Sequence, residues 1–98
     1  MIGPPYDPDY QSLRSVLCDA YEQAASGKGK ERHGNGLPFE QQPMQTISGL
    51  LDSDRGMYFQ AIKKIQEASR MDGEARDREL LGAINYVCGV IVFHRSKL

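Results

Sequence analysis

From Leu80 to Phe93 the chain runs through fourteen residues whose apolar character is broken at Asn85. A helix built from such a stretch has no polar face, and a helix apolar all round is buried on several sides. It is also too short and too polar to span a bilayer. It therefore demands neighbours, and the rest of the chain supplies them. Val90 to Phe93 would also suit a strand, whereas His94, Arg95 and Lys97 place cations where a helix C-terminus favours them. Acids from Glu74 onward stand in the first turn, where the helix dipole favours negative charge.

Three shorter amphipathic patterns precede it. Asp7-Pro8-Asp9 reads as a helix start, since Asp accepts hydrogen bonds from free amides and Pro fits the first helical position. Tyr10, Leu13, Leu17, Ala20, Tyr21 and Ala24 then share one face, and Ser26-Gly27 provides the stop. Pro43 is placed to open a second helix, with Met44, Ile47, Leu50 and Leu51 as its apolar stripe. Asp52-Ser53-Asp54 interrupts it and offers a cap to a third. There Tyr58, Ala61, Ile62, Ile65 and Ala68 form a stripe, with Gln60, Lys63, Lys64, Glu67 and Arg70 turned to solvent. Asp72-Gly73 ends that helix or bends the chain into the next. The fold expected is a single all-α domain over residues 1–98, a small helical hairpin or bundle of about four helices. An extended arm covers 1–7, and a structured, Gly-rich basic loop over 27–42 joins helices one and two.

Composition narrows the function. Ninety-eight residues sit near the size where one core is only just sufficient, and assembly into a homo-oligomer would relieve that shortage. Thirteen acids against twelve bases give net charge −1, which argues against a sequence-independent nucleic-acid binder. Met44 to Gln66 mimics a helix-turn-helix in outline, but the acidic Asp52-Ser53-Asp54 would face phosphates badly, so DNA is not an expected partner. Cys18 and Cys88, far apart and inside apolar patterns, read as reduced core residues. With no signal peptide pattern and no membrane span, a cytoplasmic protein is expected.

The stretch Gly27 to Pro43 holds the densest cationic cluster outside the C-terminus. Lys28, Lys30, Arg32 and His33 would hold phosphates. The glycines at 27, 29, 34 and 36, with Asn35 among them, let backbone amides approach an anion. No Walker loop is present, and a mobile, solvated loop explains the same residues almost as well. The second half is different: Leu37, Pro38 and Phe39 read as an anchor, and Gln41-Gln42 offers amides that can read a base or a peptide. Phe39, or Tyr10 or Tyr21 from helix one, would stack on a base.

Gly82, Asn85 and Gly89 share one stripe of the fourth helix. Two glycines there cost about 1 kcal/mol each against alanine, tolerable where another backbone comes close. The stripe reads as an oligomer interface or as tight packing within the monomer, with Asn85 fixing register. Glu67, Glu74, Asp77 and Arg78 could converge like the carboxylates of helical nucleotide pyrophosphohydrolases. The paired acidic motif of those enzymes is missing, and a solvated helix start explains these residues more cheaply. No nucleophilic triad assembles around either histidine, so no catalytic residue, metal ligand or cofactor is assigned.

Through Gly27-Lys28-Gly29-Lys30-Glu31-Arg32-His33, Pro38-Phe39 with Gln42-Pro43, and Glu79-Leu80-Leu81-Gly82-Ala83-Ile84-Asn85-Tyr86, the chain resembles small helical proteins encoded by phages and prophages, over about residues 26–93. The resemblance implies a host-cell cytoplasmic protein of a class rich in sequestering proteins, inhibitors of host defence and accessories of nucleotide metabolism. Three functions are therefore expected in order: a non-enzymatic protein sequestering a phosphate-bearing small molecule such as a nucleotide, in a helical oligomer; an inhibitor or adaptor that binds a host protein, for example a defence component, through 27–43; and a divergent nucleotide pyrophosphohydrolase.

Overall fold

A computed structural model describes residues 7–26, 30–31 and 35–97. Among them the fold is all-α: α1 (Gln11–Ala25), α2 (Pro43–Leu51), α3 (Arg55–Ala68) and α4 (Gly73–Arg95), with single 3₁₀ turns at Pro8–Tyr10 and Phe39–Gln41. No described residue lies in a strand, and Val90 to Phe93 continue α4 as helix. The arm expected over 1–7 lies outside the described residues except for Asp7.

Asp7 does act at the helix start, its carboxylate accepting from the Asp9 amide at 2.9 Å. The turn it caps is the 3₁₀ segment, and α1 follows one turn later. Pro43 opens α2 at the first helical position, as its fixed φ favours. Asp52 closes α2 in the left-handed region at φ 50°. Ser53 accepts from the Arg55 amide at 3.1 Å, and Asp54, at the N-cap position of α3, makes no side-chain cap. Gly73 begins α4 at φ +56°, a conformation side chains rarely adopt.

α4 touches every other helix and the Phe39–Gln41 turn, and it pairs most extensively with α3. Met57, Val90 and Phe93 form the centre of the core, with Met44 and Tyr86 packed against them. The C-terminal end of α4 clamps the α2–α3 connection: His94 Nε2 donates to Asp54 Oδ2 at 2.7 Å, and Lys97 reaches Asp52 at 3.2 Å.

Two apolar stripes fall differently from the sequence pattern. On α2 the buried residues are Gln45 and Ser48, while Ile47, Leu50 and Leu51 are exposed. The reason is a specific polar lock. Gln45 Nε2 donates 2.8 Å to the Gly89 carbonyl, turning that face of α2 onto α4; Ser48 satisfies its hydroxyl on the Met44 carbonyl at 2.7 Å. On α3, Met57, Ala61 and Ala68 enter the core, leaving Tyr58, Ile62 and Ile65 outside. Small residues win the seam because they let α3 and α4 approach closely.

Neither cysteine is fully buried. Cys18 is half-buried and Cys88 exposed, both as free thiols. Cys88 thus departs from the expected core position: it lines an open cavity between α1 and α4.

Candidate functional site

The described half of the basic loop is ordered by its own hydrogen bonds. Asn35 and Gly36 take successive left-handed conformations at φ 55° and 73°, and the Gly36 amide donates back to the Lys30 carbonyl at 3.3 Å. The 3₁₀ turn then seats Phe39, and Gln42, buried, donates from its side chain to the Leu37 carbonyl at 2.9 Å. Gln42 therefore braces the loop with one of its two N–H donors.

This turn leans over a cavity of about 700 Å³ bounded by α1, α2, α3 and α4. Phe39, Met44 and Met57 supply apolar wall; Gln23, Gln60 and Asn85 supply amides; Lys64, Arg78 and Glu79 supply charge. Two of the amides are fixed by hydrogen bonds they donate: Asn85 Nδ2 to the Ala20 carbonyl at 3.0 Å, and Gln23 Nε2 to the Arg78 carbonyl at 3.1 Å. Each keeps a side-chain oxygen and a second donor for other partners. Lys64 Nζ lies 3.6 Å from Glu79 Oε1, with both side chains about a quarter exposed (26% and 27%). Burial pushes the Tyr86 phenol up from its ordinary value, against the opposing charge of Lys63, so the hydroxyl stays a hydrogen-bond donor at neutral pH.

A second, mostly apolar cavity of about 490 Å³ lies between α1 and α4 under Leu37 to Phe39. Leu17, Tyr21, Ile84 and Cys88 line it, with Lys30 at its edge. Phe39, Gln42 and Asn85 border both cavities, so the 3₁₀ turn separates them.

Of the residues singled out in sequence, Lys28, Arg32 and His33 lie outside the described residues. Lys30, Tyr21 and Phe39 gather at the apolar cavity, whereas Asn35 and Tyr10 are exposed and border neither. Gly82, Asn85 and Gly89 pack within the chain: Lys64 lies over Gly82, Met57 and Met44 over Gly89, and Asn85 bonds to α1. Gln60 and Lys64, expected at a solvent face, turn partly into the larger cavity because α3 is rotated to bury Met57 and Ala61. Their signal was spacing: 60 and 64 on α3 are one turn apart, as are 79, 82 and 86 on α4, where a bare glycine makes room for a long cation.

The acids of the pyrophosphohydrolase alternative do not converge. Glu67 pairs with Lys63 at 4.0 Å and Asp77 with Arg76 at 3.0 Å. Among the described residues no three His, Cys, Asp or Glu side chains are grouped to hold a metal ion, and no helix is long and apolar enough to cross a membrane. No family model, curated protein or solved structure matches this chain.

Proposed function

We propose that the chain is a non-enzymatic, phage-type binding protein that sequesters a phosphate-bearing small molecule, a nucleotide, and works as a homo-oligomer. The observation that carries this reading is the larger cavity, where two aromatic rings, four side-chain amides and two cations meet. A flat base fits against Phe39, since aromatic stacking accepts any π-face. Gln23, Gln60 and Asn85 can hydrogen-bond a base edge in both senses. Lys64 and Arg78 face the anion, Lys64 with donors to spare beyond Glu79. The basic loop, whose Lys30 stands at the neighbouring cavity, adds charge from across the 3₁₀ turn.

Calorimetry against linear and cyclic nucleotides tests it. A member of the panel is expected to bind, and Phe39→Ala, or Lys64→Ala with Arg78→Ala, is expected to weaken it about tenfold or more, equivalent to about 1.4 kcal/mol. Lys28→Ala with Arg32→Ala reports whether the loop shares the phosphate. Absence of binding across the panel sinks the reading.

Leu50, 86% exposed, with Leu51, Ile47 and Leu37 also open, favours a second reading: an inhibitor or adaptor that docks a host protein through 27–43 and the adjoining α2. A stoichiometric partner recovered from host lysate, lost in Leu50→Glu, together with no nucleotide binding, would decide for it.

A further inference from the structure

The helical hairpin of α3 and α4 has two faces. On α3 the cavity-lining Gly56, Gln60 and Lys64 lie to one side of the buried Met57, Ala61 and Ala68, and Tyr58, Ile62 and Ile65 lie to the other. On α4, Glu79, Gly82 and Tyr86 line the cavity, while Leu80, Val87 and Ile91, at steps of seven and four, turn away from it. Because the two helices run antiparallel, joined by residues 69–72, both sets emerge on the same outer side of the hairpin. These six side chains are each between 37% and 64% exposed, and no charged residue belongs to the set.

We infer that this outer face is the contact surface for a second copy of the chain, the two α3–α4 hairpins forming a four-helix bundle across a two-fold axis. Three observations select that occupant. The face leaves on the order of 500 Å² of apolar surface open, at the upper end for a monomer and well over half of the ~800 Å² each partner gives a standard interface. The core that the chain closes alone is thin: of its seven buried apolar residues among those described, four are alanine. A domain so short of burial needs a partner present whenever it folds, and a second copy always is. Two antiparallel helices are also the half of a four-helix bundle that a two-fold copy completes, the same patch being used by both chains. Arg55, over Tyr58 at 4.7 Å, stands at one end of the face and the Arg76–Asp77 pair at the other, giving it a polar rim.

This interface is independent of the nucleotide reading, because the cavity opens on the opposite side of the hairpin. Sedimentation velocity on the full chain should give twice the 11.0 kDa of one chain, or a higher even multiple. Ile62→Glu and Val87→Glu, on side chains already open in one chain, should halve that mass while retaining the helical circular dichroism. Wild-type protein at single mass, whether or not it sediments with phospholipid vesicles, overturns the proposal, as does an assembly unchanged by both substitutions. Where a glutamate variant fails to fold, hydroxyl-radical footprinting of the wild-type chain decides. Ile62, Ile65 and Val87 should be protected and become reactive on dilution; reactivity at these positions that does not change with concentration overturns the proposal.

Discussion

The stem of Lys64 lies across the bare Cα of Gly82, and a Cβ there would stand 3.0 Å from Lys64 Cδ and 3.2 Å from Cε. The contact bends a cation along the cavity wall and holds it within 3.6 Å of Glu79. Everything a methyl group would displace here belongs to a flexible side chain. Gly82→Ala should therefore leave stability within about 1 kcal/mol of wild type, or raise it, since alanine gains about that much helix propensity. Lys64 should swing outward and nucleotide affinity should fall. Denaturant unfolding and calorimetry on the same variant check both halves.

Gly89 gives the opposite result. Its missing Cβ would meet Met57 Sδ at 3.0 Å and Met44 Cε at 3.1 Å, and Met57, 2% exposed at the centre of the core, must repack together with Met44 to admit it. Overpacking of this kind costs about 1–3 kcal/mol, which outweighs the helix gain. Gly89→Ala should be net destabilised in urea unfolding, and a variant as stable as Gly82→Ala would contradict the packing described.

Gln45 should matter more than the exposed apolar residues of α2. Its buried amide is the tie to the Gly89 carbonyl, and Gln45→Ala removes that bond in a water-poor setting at about 1–3 kcal/mol. Leu50→Ala, at an open position of the single chain, should shift the unfolding midpoint far less. Equal losses would mean that α2 is turned the other way.

Acid should release the clamp at the end of α4. The hydrogen bond from His94 holds the Asp54 carboxyl below its ordinary value, with Arg55 adding to it against the effect of burial. Because the folded-state pKa lies below the unfolded one, ionised Asp54 favours the folded state. That contribution is complete above the ordinary carboxylate range and disappears as pH falls through the lowered folded value. The stability difference between wild type and Asp54→Asn should be present at pH 7 and close as the pH falls through the lowered folded-state value. A difference that persists at low pH would show that the contact acts by packing.

Element existence was legible because it depends on local chemistry. The Asp7-Pro8-Asp9 and Pro43 starts, the break at Asp52 to Asp54 and the bend at Gly73 each follow from φ preferences and amide capping, which act within a few residues. Asp54 shows the limit: its position predicts a cap, but a histidine forty residues on captures the carboxylate instead. The candidate site was half legible. Phe39 stands where a cavity wall is needed, while Lys64, Gln60, Arg78 and Gln23 looked like ordinary solvent-facing residues until four helices closed around them.

The sequence by itself determined an all-helical chain whose last helix is central, because an apolar run with no polar face leaves no other stable arrangement. The tertiary structure alone decided which part of each stripe is inside. Apolar area alone would bury Leu50 and Ile62 ahead of Ala61, yet they stay exposed; that choice falls to close approach at Ala61, Ala68 and Gly89 and to the single directional bond of Gln45. The same choice leaves Tyr58, Ile62, Ile65, Val87 and Ile91 facing outward and places Lys64 beside Gly82, so both surfaces proposed to bind are consequences of how the small residues pack.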